Sequence, residues 1–164
     1  MSTPTQHREE LLAAFGIGAA DLDANRAGRL GEMQARALRR SGWNNLLLTG
    51  VVGLILAAIL AFVANKPLKP AQYITALVLF GATLAVGIDH FRKMNAAAAD
   101  GRVDCLTGPV QVQSRGKQGF YLAVAGRSFK LPVRPWQVSS GANYRVYIST
   151  RAVQIVAMEP EGGP

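Results

Sequence analysis

Two long apolar runs, placed back to back, constrain this chain more than any other feature. Residues 46–64 and residues 71–88 contain no charged side chain, and only residues 65–70 separate them. A bilayer core about 30 Å thick is crossed by roughly 20 helical residues, and a helix in lipid satisfies its own backbone hydrogen bonds. The sequence therefore predicts two transmembrane helices, joined by a tight turn that Pro67 and Pro70 delimit.

Two other interpretations of these runs are weaker. A buried helical hairpin in a soluble core normally keeps a polar face, and neither run has one at any rotation. A cleavable signal peptide is disfavoured because the first run begins only at Leu46 and a second span follows it at once. The membrane hairpin is the favoured interpretation.

Basic residues at the ends of the hairpin predict its orientation. Eight of them flank the outer ends and two lie in the connecting loop, and the side richer in Lys and Arg faces the cytoplasm. We therefore expect a multi-pass protein of an inner (plasma) membrane with both termini cytoplasmic. The flanking residues are Arg26, Arg29, Arg36, Arg39, Arg40, Arg92, Lys93 and Arg102, and those of the loop are Lys66 and Lys69.

Small residues recur along both runs at helical spacing. Such positions let helix backbones approach closely, which is what drives association in lipid. We expect them to pack the two helices of one hairpin together, with a seam between copies of the chain as the alternative. The predicted helix-packing positions are Gly50, Gly53, Ala57, Gly81 and Ala85.

Residues 1–45 are predicted to form a cytoplasmic segment with short amphipathic helices. Leu11, Leu12 and Phe15 fall at helical spacing, but so short a helix is marginal alone and must dock on a partner, on the soluble domain or on the lipid surface. Residues 21–31 are interpreted as a turn-rich connector. Residues 32–40 are interpreted as an amphipathic approach to the membrane.

Residues 46–99 are predicted to form the hairpin and a helical stalk, which stops at Asp100 and Gly101. Beyond Gly101 apolar and polar residues alternate with period two, and Gly-containing turns separate the runs. Residues 100–159 are therefore predicted to form a small antiparallel β-barrel of SH3-like or OB-like type, with residues 160–164 as a disordered tail. The predicted fold class is an α+β membrane protein. Its layout resembles the general plan of the NfeD-like membrane proteins, and this resemblance assigns no residue a role.

No catalytic, nucleotide or metal motif is found in the sequence. The two histidines, His7 and His90, are far apart in the sequence, and neither shows the spacing to other residues that is typical of metal ligands. Cys105 is the single cysteine. Asp89 and His90 are interpreted as interfacial rather than catalytic. We therefore expect a protein that is not an enzyme and that carries no cofactor or metal.

Residues 100–164 contain eight basic and four acidic side chains, and aromatic residues lie among them. They suggest an interaction surface, whereas the competing interpretation places Trp136, Phe129 and the tyrosines in the core and leaves the basic residues to solvent or phospholipid. The predicted surface consists of Tyr121, Arg127, Lys130, Arg134, Trp136, Arg145 and Tyr147.

The predicted function is that of a membrane protein whose hairpin tethers a small cytoplasmic β-domain, as a protein-interaction module or an accessory subunit. The expected partners are the lipid bilayer and either another protein or further copies of the chain. An alternative is a basic module that binds anionic lipid or single-stranded nucleic acid at the membrane surface. Nucleic acid is disfavoured because the basic residues are dispersed rather than clustered.

Overall fold

The computed structural model describes residues 4–63 and 70–161 of the 164-residue chain. The fold is α+β and divides into two compact units: unit 1 comprises Met1–Arg36 and Ala97–Pro164, and unit 2 comprises Ala37–Ala96. The helices are α1 (Pro4–Phe15), α2 (Ala19–Arg26), α3 (Glu32–Val63) and α4 (Pro70–Asp100). The strands are β1 (Val103–Pro109), β2 (Gln111–Ser114), β3 (Phe120–Val124), β4 (Arg127–Lys130), β5 (Asn143–Ser149) and β6 (Gln154–Pro160).

The two long helices are apolar enough and long enough to cross a membrane. Only 11% of the apolar window of α3 and 6% of that of α4 is buried within the chain. A core helix of a soluble domain would be covered by its own chain, so these two helices need another covering medium.

Helices α3 and α4 pack as antiparallel neighbours within unit 2. Phe80 lies against Gly53, where a Cβ atom would overlap its ring, and Thr49 lies against Gly87. The rings of Trp43 and Phe91 meet edge to face, 5.0 Å between centroids. Gly53 thus lies where the two helices pack.

The other predicted helix-packing positions do not lie in this seam. A Cβ atom at Gly50 or Gly81 would meet nothing within 4 Å. Ala57 and Ala85 are exposed. Phe80, a large side chain, fills the groove at Gly53, and Thr49 packs against Gly87, so the contact between the helices is not a continuous ridge of small residues.

The ends of α4 agree with the sequence. The helix begins at Pro70 and ends at Asp100, followed by Gly101 in the left-handed conformation at φ 63°. Proline suits a first helical turn and glycine the residue after the last one. Pro67, Lys66 and Lys69 lie outside the described residues.

The β-domain consists of two three-stranded antiparallel sheets rather than one closed barrel. Sheet 1 has the order β1-β5-β6 and sheet 2 the order β2-β3-β4. The predicted antiparallel strands are present, but the predicted closure is absent from the strand pairing of the described residues. Pro109 ends β1 and Pro132 follows β4, and a proline has no N–H to extend a ladder from one sheet to the other.

The chain crosses from sheet 1 to sheet 2 at Val110. Its N–H donates to the carbonyl of Ala142 over 3.0 Å, and its own carbonyl accepts from Gly141 N over 2.7 Å. Strands β3 and β4 are joined by Ala125 and Gly126, which both have positive φ angles. Two such residues in succession give the tight hairpin predicted at this turn. Thus short connections join sheet 1 to sheet 2 at Val110 and strand β3 to strand β4 at Ala125 and Gly126.

Sheet 1 is covered on both faces. On one face, buried residues of the two sheets share a core that includes Leu122 and Val146, and Leu11 of α1 enters it with no exposed area. On the other face, Leu22 of α2 packs with Val103, Tyr147 and neighbouring apolar residues. The four consecutive apolar residues 155–158 of β6 fit this arrangement, because a strand buried on both faces needs no polar alternation.

The N-terminal segment is therefore an integral part of unit 1. Of the three docking sites expected for the first helix, α1 uses the soluble domain. The connector predicted over residues 21–31 is wrong for its first half, because Ala19–Arg26 forms α2. Leu22 and Asn25 of that helix are buried against the sheet, and this tertiary burial outweighs the weak helix preference of its Asp and Asn residues.

Backbone pairing fixes the same segment to sheet 1. Leu30 N donates to the carbonyl of Gly101 over 2.7 Å, and Val103 N donates to that of Gly28 over 3.1 Å. The amide of Gln34 donates to the carbonyl of Val156 over 3.1 Å. At the C-terminal end of the domain, β6 continues through Pro160. The first residue of the tail predicted over residues 160–164 therefore belongs to the sheet. Residues 162–164 lie outside the described chain.

Candidate interaction surface

Charge is unevenly divided between the two sheets of unit 1. We call residues 110–142 the cationic lobe; it contains sheet 2 and the following loop, and no Asp or Glu. Its five basic residues are Arg115, Lys117, Arg127, Lys130 and Arg134. Within these residues no carboxylate offsets the positive charge, which favours an approaching anion.

The basic residues around sheet 1 behave differently. Arg145 lies 4.0 Å from Glu161, and Arg151 lies 3.7 Å from Asp100. None of the five cations of the lobe forms an ion pair within the part of the chain that the structure describes. Within residues 100–161, the basic residues that lack an ion pair therefore all belong to the cationic lobe.

Tyr121 lies at the centre of the outer face of sheet 2. It pairs with Gln113 on one side and with Lys130 on the other, so these three side chains share a face. The guanidinium of Arg115 lies over the Tyr121 ring at 4.4 Å and donates to Ser128 Oγ over 3.4 Å. The face thus presents one lysine, one stacked arginine and polar side chains.

Trp136 lies in a short 3₁₀ turn, Pro135–Gln137, that follows sheet 2. Buried Val133 and Val138 anchor the turn on either side, while Trp136 itself is 72% exposed. The guanidinium of Arg134 lies over its ring at 5.2 Å. The interpretation that placed Trp136 in the core is wrong for this residue, although Phe129 and Tyr144 are buried as that interpretation has it.

Three residues of the predicted surface do not belong to one face with Tyr121. Tyr147 is only 1% exposed because α2 and its neighbours cover this side of sheet 1, so its assignment to the surface is wrong. Arg145 is exposed, but on sheet 1 and beside Glu161. Arg127 pairs with Val124, which places it on the opposite face of β4 from Lys130.

Tyr147 belongs instead to a partly buried polar cluster that the sequence did not reveal. We call Arg26, Tyr147 and Glu159 the Glu159 cluster. Arg26 donates to the Glu159 carboxylate through Nε at 3.1 Å and through a terminal nitrogen at 2.5 Å. Tyr147 Oη donates to the same carboxylate over 2.6 Å. The cluster joins α2 to strands β5 and β6.

These contacts explain the titration behaviour of the cluster. Burial alone would raise the pKa of Glu159, but the hydrogen bonds from Arg26 and Tyr147 and the charge of Arg26 outweigh it and hold that pKa below its usual range. Burial, together with the hydrogen bond to Glu159, raises the pKa of Tyr147. The hydrogen bond to Glu159 raises the pKa of Arg26. At neutral pH the cluster is a charged pair capped by a neutral tyrosine.

No local signal in the sequence identifies this cluster. Arg26 and Glu159 are 133 residues apart, and the residues next to either one in the sequence do not indicate an ion pair between them. The only indirect signal is the uninterrupted apolar run before Glu159, which indicates a second covering layer. What supplies that layer cannot be read from the run itself.

Among the described residues, no group of three or more His, Cys, Asp and Glu side chains could hold a metal ion. Cys105 is exposed. No protein-family model, no curated protein and no solved structure matches this chain.

Proposed function

We propose that this chain is a non-enzymatic integral membrane protein whose hairpin tethers unit 1 to the cytoplasmic face of a bacterial-type inner membrane. There unit 1 acts as a binding module, as an accessory subunit of a larger membrane complex or through contact between copies of the chain. The observed strand pairing gives two three-stranded sheets. We propose that together they form a β-domain of SH3-like or OB-like type.

One observation carries the topology. Residues before the first apolar helix and residues after the second fold together in unit 1, where Leu30 pairs with Gly101 and Arg26 with Glu159. A chain whose two flanks meet in one folded unit must cross a membrane an even number of times. The observation therefore supports a hairpin with both ends on one side.

The side of the membrane rests on the basic residues. The flanks contain eight Lys and Arg residues against two in the connecting loop, which supports a cytoplasmic location for unit 1. The exposed apolar side chains of α3 and α4, among them Leu54 and Leu77, support burial of these helices in lipid.

The binding role rests on the cationic lobe. Its cations have no ion-pair partner among the described residues, and Trp136 is exposed, whereas Arg145 of β5 and Arg151 of the β5–β6 turn each lie beside a carboxylate of the chain. An exposed aromatic ring beside an arginine is typical of a surface that contacts a partner, because aromatic residues and Arg are enriched in interfaces. The alternative function, binding of anionic lipid or single-stranded nucleic acid by the same lobe, is favoured by the sign of the charge.

Purification of the tagged full chain from its own cells in nanodiscs, followed by intact-complex mass spectrometry, tests this proposal. An accessory subunit gives a stoichiometric assembly with a second protein, and self-association gives a multiple of the chain mass. The variant Lys130→Gln with Arg134→Gln should weaken the assembly, whereas Arg151→Gln, at a paired arginine of the β5–β6 turn, should leave it intact. A monomer that binds neither protein, lipid nor nucleic acid would contradict the proposal.

A further inference from the structure

We propose that the cationic lobe lies against anionic phospholipid head groups, with the Trp136 ring at head-group depth. This inference rests on the proposed function, since it requires a hairpin that places unit 1 beside a bilayer. It identifies the partner of the lobe as the membrane itself. Three observations favour phospholipid over an acidic protein or a nucleic acid.

The first observation is the composition of the lobe. Five cations occur in residues 110–142 without a single carboxylate, so this stretch of the chain is uniformly basic. Negative lipid on a cytoplasmic leaflet attracts such residues within a Debye length of the surface, about 8 Å at physiological salt. Because lipid is laterally mobile, dispersed cations can each recruit a head group without matching a fixed pattern of phosphates.

The second observation concerns the aromatic rings. Binding of single-stranded nucleic acid uses free ring faces on which successive bases stack. Here Arg115 lies over Tyr121 and Arg134 lies over Trp136, so each ring already carries a guanidinium on one face. An exposed tryptophan beside an arginine is instead suited to the head-group region, where an amphipathic ring and a cation are both favoured.

The third observation is the availability of the partner. A tether converts association with the bilayer into an intramolecular step at high effective concentration. An exposed surface that is weakly attractive in free solution is therefore well occupied when the hairpin holds it near lipid. An acidic protein would have to compete with this permanent neighbour.

The test uses the full chain with Trp43→Phe, so that Trp136 is the only tryptophan, in nanodiscs of phosphatidylcholine with or without phosphatidylglycerol. In nanodiscs that contain phosphatidylglycerol, a nitroxide on the lipid head group should quench Trp136 fluorescence. In the same nanodiscs, acrylamide in the buffer should quench it less than in nanodiscs of phosphatidylcholine alone. Raised salt should reverse both effects. Lys130→Gln and Arg134→Gln should each weaken the docked state about fivefold, and the two changes together by roughly 25-fold.

Arg151→Gln is the matched control, because Arg151 is exposed and basic but lies in the turn between β5 and β6, beside Asp100. It should change docking by less than about twofold. Quenching of Trp136 that is the same in both lipids would overturn the inference. Protection that appears only when an oligonucleotide or an acidic protein is added would overturn it in favour of that partner. Failure of the chain to enter nanodiscs at all would instead reject the membrane hairpin, so the two proposals fail in different ways.

Discussion

Sheet 1 and the cationic lobe belong to the same small unit, yet they handle charge in opposite ways. Sheet 1 is covered on both faces, and its buried carboxylate, Glu159, receives hydrogen bonds from Arg26 and Tyr147. The lobe leaves its five cations without an ion pair in the described chain. A charge that is withdrawn from water requires a partner inside the fold, whereas a solvated charge does not and can serve binding.

The comparison separates residues that hold the fold from residues that are available to a partner. Removing a contact on the covered side of sheet 1 should lower stability, and removing a cation of the lobe should leave stability almost unchanged. The following changes test that division, beginning with the largest expected effect.

Leu22→Ala should lower the free energy of unfolding of unit 1 by about 3 kcal/mol, because a fully buried leucine leaves a cavity. Leu22 has no exposed area and lies between α2 and sheet 1. Hydrogen exchange of the β5 and β6 amides, measured in urea on the full chain in detergent, gives this value. Trp136→Ala, an exposed apolar residue of the lobe, is the control and should cost less than about 0.5 kcal/mol. Equal costs for the two variants would remove the distinction.

Arg26→Gln should cost about 2 kcal/mol, since it removes the guanidinium that hydrogen-bonds to the buried carboxylate of Glu159 and leaves only Arg8, 3.9 Å away, to offset that charge. The value stays below that of a fully buried pair because the Arg26 side chain is itself partly exposed to solvent, which screens its charge. The same exchange measurement applies, and Arg127→Gln is the matched control, with an expected change within about 0.5 kcal/mol. A neutral result for Arg26→Gln would show that the Glu159 cluster does not hold α2 on the sheet.

Acidification should destabilise unit 1 through Glu159. The folded-state pKa of this carboxyl lies below the unfolded one, so its contribution to stability is complete above the ordinary value of about 4.3 and is lost as the pH falls through the lower folded value. Glu159→Gln should flatten this part of the curve of unfolding free energy against pH, and Glu161→Gln should not. A curve for Glu159→Gln that keeps the same acid slope would contradict the assignment.

The pair Lys130→Gln with Arg134→Gln should have the smallest effect on folding, within about 0.5 kcal/mol, because neither cation has an ion-pair partner among the described residues. Its effect should appear in binding alone. Thermal unfolding of the full chain in nanodiscs measures the first quantity and Trp136 quenching the second. A large loss of stability would place these residues in the structural group and contradict the comparison.

The parts of the fold that follow from local pattern were predictable from the sequence. The apolar runs predicted both long helices, Pro70 and Gly101 marked the ends of α4, and the turn at Ala125 and Gly126 marked a hairpin. In each case the deciding forces act between residues near one another in the chain. A lone sequence therefore contains the signal.

The parts that depend on distant residues were not predictable. The docking of α2 on sheet 1 and the contact of Arg26 with Glu159 join opposite ends of the chain, and no local feature announces them. The same reason explains the misplaced Tyr147: the alternation along β5 gives the two faces of the strand, but not that a helix from the N-terminal segment covers the second one. The positive charge of the cationic lobe was predictable, because it follows from composition. The exposure of Trp136 was not, because it depends on a turn between two buried valines.

The central claim, that a membrane hairpin places both of its flanks on one side in one folded unit, is tested most directly by thiol labelling. Cys105 is the only cysteine and is exposed, so an impermeant maleimide can report its side in right-side-out spheroplasts of a bacterial host. With Cys105 replaced by Ser, Glu10→Cys reports the N-terminal flank and Lys66→Cys the connecting loop. We predict that Cys105 and Glu10→Cys are labelled only after permeabilisation and that Lys66→Cys is labelled at once. Labelling of the two flanks from opposite sides, or protection of all three positions in intact spheroplasts, would contradict the account.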